Sequence, residues 1–343
     1  MLEGVDEIAA SDLLGHAAFL LTKTGELREA LVDYGIALLT DLQRENWSEM
    51  RTGLSNIAYT LRGQNRLAKA ESYWRFALDI ATLRDNEEDL FCSRIDLFAQ
   101  FTIFNQRKDA EAMWQLLDPM GRNWSRSIYR SGDAECLYAE FLFRQGDLKE
   151  KHLVWAEQLA QAGRSRAVIR DLHRLRGEWQ LEKGQWALAA ESLHEAVRMA
   201  REIGQRATAA ETLLAIARFH LNQLPDPEHE AEQLAGAKTP FHRALAELWL
   251  LIGNAEQAKK HALAAYELAW ADGEPYVYRH ELNKARALLD KLDAEIPKLP
   301  PYDPAKDEKL PWEDEVISAI EKLRAKVNAK KQAKNDADAG EEE

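Results

Sequence analysis

Seven short turns recur along the chain at nearly even spacing. Each carries Gly or Asn at the matching place: Gly25, Asn65, Asn105, Gly146, Gly184, Asn222 and Gly253, in steps of 40, 40, 41, 38, 38 and 31 residues. Gly and Asn tolerate the left-handed backbone that closes a helix, so turn chemistry explains the choice. Other positions repeat in phase with the turns. Seven residues before each turn stand Ala18, Ala58, Phe98, Ala139, Gly177, Ala215 and Ala246. Five residues after come Ala30, Ala70, Ala110, Lys151, Ala189, Pro227 and Ala258. Nine after come Tyr34, Trp74, Trp114 and Trp155, then Leu193, Ala231 and Ala262. Small residues let two antiparallel helices approach closely, and the large aromatic fills the gap toward the next pair. Neither helix can bury its face alone, so the pairs must stack. Strand vocabulary is missing: there are no β-branched runs of period two, and Ala, Leu, Glu, Arg and Gln dominate. The pattern predicts an all-α chain, more than about 60% helix against a base rate of about 30–35%.

Composition narrows the function. The chain is 46% hydrophobic and 30% charged, enough to bury a core. Its net charge of −13 argues against general phosphate binding and so against nucleic acid. No apolar run reaches the ~18 residues of a membrane span, and no signal segment follows Met1. Cys92 and Cys136 stand 44 residues apart, neither a disulfide framework nor a zinc pattern. Together these point to a reducing, cytoplasmic setting.

The order small–Gly–Ala–aromatic–Ala resembles the tetratricopeptide repeat. The first repeat reads Ala18, Leu21, Gly25, Ala30, Tyr34, Ala37; the second reads Ala58, Leu61, Asn65, Ala70, Trp74, Ala77. The fifth reads Gly177, Gly184, Ala189, Leu193, Ala196. Repeats three, four and six depart, with Leu117 and Gln158 at the late small position and Pro227 in place of Ala. The likeness covers roughly residues 10–295. The period near 40, against about 34 for the common form, is similar to the arrays at the C-termini of bacterial STAND signal-transduction ATPases. The endings Tyr278-Arg279-His280-Glu281-Leu282 and Pro300-Pro301-Tyr302-Asp303 resemble the close of such arrays. The resemblance implies a right-handed α-solenoid of about seven helix pairs. It also implies a bacterial sensor role, with an effector or NTPase domain on an adjoining segment or another chain.

The chemistry of catalysis is not legible. No glycine is followed by lysine, which excludes a Walker phosphate loop. No Gly-x-Ser-x-Gly elbow and no His-Glu-x-x-His exist; His152, His173 and His194 fall in different helices. The two cysteines read as core residues. The reading is therefore a non-catalytic scaffold for a protein or peptide, with no cofactor and no metal.

A solenoid offers a concave face lined by the first helix of each pair. In tetratricopeptide repeats its ligand-facing positions lie about six, nine and thirteen residues before the turn. Carried onto this chain, those positions are Asn56 and Tyr59, Asp96, Glu140, and Asp171 and Glu178, with Arg62, Arg144 and Arg174 able to reach the same groove. The set mixes charge with an aromatic, as peptide grooves do. A Lys/Asn clamp for a chain-terminal carboxylate is not completed, since Asp96 follows Asn56. A second candidate is a basic band with 15 Lys or Arg against 12 Asp or Glu from Arg122 to Arg206. It comprises Arg122, Arg126 and Arg130, then Arg164, Arg166 and Arg170. Such a band suits carboxylate or phosphate partners and gives the alternative reading, a transcription or nucleic-acid regulator.

Four segments follow from these patterns: the array over 1–296, a Pro-rich linker at 297–311, an amphipathic helix at 312–329, and a disordered Lys/Asp/Glu-rich tail at 330–343. The last array helix, with Tyr278, Leu282, Leu288, Leu289 and Leu292, needs a cover. The stripe Trp312, Val316, Ile320 and Leu323 is expected to cap it, on the same chain or on a neighbour in a dimer. An extended linker can span ~45 Å, long enough for that return.

Overall fold

The structure, a computed structural model, describes the backbone of residues 7–124 and 132–341 and the side chains of 9–22, 24–117 and 132–333. Among the described residues there is no strand, and the only sheet-like contact is an isolated bridge between Gly273 and Tyr276. The helices run as consecutive pairs: α1 (Glu7–Thr24) with α2 (Leu27–Gln43), α3 (Trp47–Gly63) with α4 (Leu67–Arg84), and α5 (Glu87–Phe104) with α6 (Arg107–Trp124). Then come α7 (Asp133–Gln145) with α8 (Glu150–Ala162), α9 (Arg166–Glu182) with α10 (Trp186–Glu202), α11 (Thr208–His220) with α12 (Pro227–Ala235), and α13 (His242–Ile252) with α14 (Ala255–Trp270). Two single helices close the chain, α15 (Arg279–Lys291) and α16 (Glu313–Glu341). Consecutive helices pack on one another, the order of an all-α solenoid.

All seven turn residues have positive φ, between 56° at Asn222 and 93° at Gly253. The residues that repeat in phase are the contacts of each pair. Ala18, Ala58, Ala139 and Ala246 are fully buried, as are Ala30, Ala70, Ala110, Ala189 and Ala258. The Pro227 departure has a local cause. It occupies the first turn of α12, where no N–H is needed, and Asp226 caps the helix by accepting from His229 N at 3.2 Å. A second set of left-handed turns joins one pair to the next, at Glu45, Asp85, Arg164 and Gly204.

The chain divides into two compact units, one of residues 1–97 and 302–343, the other of residues 98–301. In the first unit Trp74 is fully buried between helices. The tail belongs to this unit, and there the expectation for it is corrected. Trp312, Val316, Ile320 and Leu323 are buried as foreseen, but against α2 and α4 rather than on the C-terminal repeat. The physical reason lies at both places. Gly35 in α2 leaves a gap that the Trp312 ring fills, so near that a Cβ on residue 35 would fall 2.1 Å from the ring. In the second unit the array's last helix is already covered. Ala294, Ile296 and Leu299 of the extended segment after α15 pack with Leu282, Leu288 and Leu289, and the Trp270 indole donates to the Pro300 carbonyl at 2.7 Å. The linker at 297–311 is extended apart from one short 3-10 turn, Pro304–Lys306. The helix expected to end at residue 329 instead continues to Glu341, through a run rich in the helix formers Ala, Lys and Gln and free of proline.

Close approach at small residues gives a stability test. A Cβ on Gly177 would lie 2.4 Å from Leu193 Cγ, whereas one on Gly53 meets nothing nearer than Leu38 Cδ1 at 3.6 Å. Gly177→Ala should therefore destabilise the protein by about 1–3 kcal/mol through overpacking, despite a helix-propensity gain of about 1 kcal/mol. Gly53→Ala should stabilise it by about 0.5–1 kcal/mol. Urea unfolding checks both; a stable Gly177→Ala would show that α9 and α10 do not meet at this residue.

Candidate functional site

The predicted groove residues on α3 and α5 lie in the first unit and bond to one another. The Tyr59 hydroxyl donates to Asp96 Oδ1 at 2.6 Å, across one repeat. The ring of Tyr59 stands edge-on to Trp74 at 5.2 Å, and the Arg62 guanidinium lies over both rings, 4.9 Å and 5.5 Å from their centres. Asn56 is separate, half-buried in a hollow of about 360 Å³ with Tyr34, Asp41 and Thr52. Asp96 is fully buried, which corrects the expectation for that position, while Asn56, Tyr59 and Arg62 are half-buried. The Asp96 position faces the neighbouring first helix, not solvent.

In the second unit the first helices of several repeats converge on Arg243, whose side chain is 3% exposed. Its guanidinium pairs with Glu178 of α9, donates from Nε to Glu281 of α15 at 2.6 Å, and from Nη1 to Glu247 of α13 at 3.2 Å. Arg174 donates to the other oxygen of Glu178 at 3.2 Å, Arg144 pairs with Glu140 on α7, and Lys284 pairs with Glu182. Burial alone would raise the Glu178 carboxyl. Arg243 and then Arg174 outweigh it and hold the pKa at about 2. Glu140 is likewise lowered, burial being outweighed by Arg144 and Arg174. Four predicted groove residues thus meet here, Glu140, Arg144, Arg174 and Glu178, but as an internal ion network. Asp171 stands apart, holding Arg170 at 2.7 Å.

Sequence reading missed Arg243, Glu247, Glu281 and His280. The signal was present: six residues before the Gly253 turn is Glu247, one helical turn from Arg243. The His280 ring lies 5.4 Å from that of Phe143, with its Nε2 buried and unbonded. Glu178, His280 and Glu281 bring their ligand atoms within 4.8 Å of one another, the spacing of a metal triad. A cation there would have to displace the Arg243 guanidinium from both carboxylates. A second, part-buried pair joins α13 to α14, with His242 and His261 Nδ1 atoms 2.8 Å apart, so that one ring donates and the other accepts. Burial, then His242, lowers the His261 pKa to about 4.

The basic band is tied to carboxylates of its own chain. Arg166 pairs with Glu202, Arg170 with Asp171, and Arg176 with Glu150 and Glu157 at 3.1 and 2.8 Å. Arg164 sits exposed at a left-handed turn. The side chains of Arg122, Arg126 and Arg130 lie outside the described residues. Burial pushes the Cys136 thiol well up, which keeps it a thiol.

The second helices of this unit carry a different surface. Trp114 of α6 stacks on Tyr138 of α7 at 4.1 Å, and Trp155 of α8 meets Trp114 edge-on at 6.3 Å. Trp155 is 37% exposed, and Leu116, Val154 and Leu188 on the second helices are exposed too. At this repeat position Trp74 fills a gap between pairs, while Trp155 does not. No family model matches this chain, and no curated protein is similar to it in sequence.

The ion network makes a sign-specific expectation. Arg243→Met should cost about 3–5 kcal/mol at neutral pH, because it strands buried carboxylates. In the wild type, Glu178 contributes stability that is present above its unfolded pKa of about 4.3 and lost as pH falls toward the folded value. In the variant Glu178 keeps Arg174 and, more weakly, Lys284 and His280 while burial still raises its carboxyl, so the deficit should shrink as the pH drops below about 5. Denaturant unfolding across that range is the measurement; a deficit that does not change with pH would contradict the assignment.

Proposed function

We propose that this chain is a non-catalytic scaffold that recognises a protein or peptide, a tetratricopeptide-like array serving as the ligand-sensing region of a bacterial signalling system. A cytoplasmic location and an effector or NTPase domain on an adjoining segment or chain belong to the same proposal. The observation that carries it is the partly exposed aromatic cluster Trp114–Tyr138–Trp155 with exposed Leu116 and Val154. Trp and Tyr beside apolar neighbours supply contact area at little entropic cost, and they dominate interface hot spots. Exposed aromatic and apolar side chains of this kind mark interaction sites where they form a patch. The groove positions support recognition less directly, since Asp96 and Glu178 are buried and held by their own chain. The described arginines at 166, 170 and 176 are engaged by carboxylates, which weakens the case for phosphate contact. Among the described residues no helix is long and apolar enough to cross a membrane.

A peptide library panned on the immobilised protein should yield binders that lose at least about tenfold in affinity, about 1.4 kcal/mol, on Trp155→Ser. Melting should hardly change, since the residue is exposed. Binders indifferent to both Trp155→Ser and Trp114→Ser would sink this reading.

A further inference from the structure

The tail contacts of the first unit have the form of a receptor holding a ligand. Lys69 of α4 is 7% exposed, and its ammonium is held by Asp307 Oδ2 and Glu313 Oε2, each at 3.2 Å. Among the described residues these two tail carboxylates are the partners of that buried cation. Arg66 adds a bond from Nη2 to the Glu308 carbonyl at 3.0 Å. The Trp312 ring drops onto the bare backbone of Gly35, and Leu310, Val316 and Ile320 complete the apolar side. The Leu310 N–H donates to Glu313 at 3.2 Å, closing the helix start. Further on, exposed ion pairs at the rim hold the helix, Arg324 to Asp79 at 3.1 Å and Lys326 to Glu45 at 2.6 Å. Every partner lies more than 200 residues away in sequence. The binding surface is therefore made by α2, α4 and the residues at their ends, with no short loop tying ligand to seat.

We propose that residues 307–323 are a releasable intramolecular ligand, and that the seat on α2 and α4 recognises an acidic amphipathic helix led by Leu-Pro-Trp-Glu chemistry. The partner that fits is a helical protein segment with an aromatic anchor followed at once by a carboxylate. Charge complementarity specifies it, since residues 307–315 carry five carboxylates against the Lys69 and Arg66 pair. In the closed state the chain's own tail occupies the seat at an effective concentration set by its tether, so an outside helix must compete. This surface is distinct from the Trp114–Trp155 cluster, and the two readings stand or fall separately.

The test uses full-length protein and a fluorescent peptide of residues 302–330. Trp312→Ala/Glu313→Lys removes the anchor and turns the buried ion pair into a repulsion, so the seat opens. The peptide should then bind at least about tenfold more tightly than to the wild type, as expected when a tethered competitor is removed. Adding Gly35→Ala should abolish that binding by filling the ring's place, without weakening α2, since Ala is the better helix former. Equal binding to wild type and open variant, or binding that survives Gly35→Ala, overturns the proposal. Should the open variant lose helix content by circular dichroism, Lys69→Glu carries the test. It should prefer a peptide bearing Glu313→Lys to the natural sequence, and an unchanged preference would again overturn the proposal.

Discussion

A pair of antiparallel helices closed by a left-handed turn hides only one side of each helix. Every other feature of this protein answers that constraint. Alanine or glycine at the crossing lets the two helices approach until their facing sides are sealed, as at Gly177 against Leu193. Within each unit the remaining apolar side of a pair packs on the next pair, as α2 does on α3 and α10 on α11. Other elements cover apolar surface that the pairs leave open. Ala294, Ile296 and Leu299 cover α15 in one unit, and the Trp312 helix covers part of α2 and α4 in the other. A short extended strip suffices for the first because one helix with a narrow apolar stripe needs little area. The second takes a helix because its seat contains a hole, at Gly35, and a buried cation, at Lys69.

The same constraint explains why charge sits inside the second unit. First helices from separate repeats come together side by side, and the positions that meet carry Arg243, Arg174, Glu178, Glu247 and Glu281. Buried ion pairs of this kind add little net stability compared with apolar packing, but a wrong alignment leaves charges stranded. Arg243 therefore acts as a register pin. It joins α9, α13 and α15, which are not neighbours in sequence, and each of its donors has a separate acceptor. The cost is that carboxylates and guanidinia which could face a ligand are spent on one another.

The seven turns were legible because a left-handed backbone filters composition, leaving Gly or Asn at each. The turns between pairs were not, because Glu45, Asp85 and Arg164 adopt the same backbone without the residue type that advertises it. The small crossing residues could be read from spacing alone, for they have no reason other than close approach. The aromatics could not be read fully. Trp74 and Trp155 occupy the same repeat position, yet one is buried and the other partly exposed, since the surroundings and not the position decide. The groove residues were found by counting, and the count did bring Glu140, Arg144, Arg174 and Glu178 together. What it lacked was the partner from a distant repeat, Arg243, which only the three-dimensional path supplies. The tail helix was legible as a cover from its stripe, but its address was not, because a stripe says nothing about which bare surface has a hole of matching shape.

The central claim is that Trp155 of the aromatic cluster stands open to solvent while Trp74 and Trp312 are sealed between helices. Oxidative footprinting of the tryptophans in the full-length protein, read by mass spectrometry, tests it directly. Trp155 should oxidise at a rate near that of an exposed residue, while Trp74 and Trp312, both buried, are protected until the protein unfolds. Protection of Trp155 together with rapid oxidation of Trp312 would contradict the account, because it would mean that the tail is not seated and the open surface lies elsewhere.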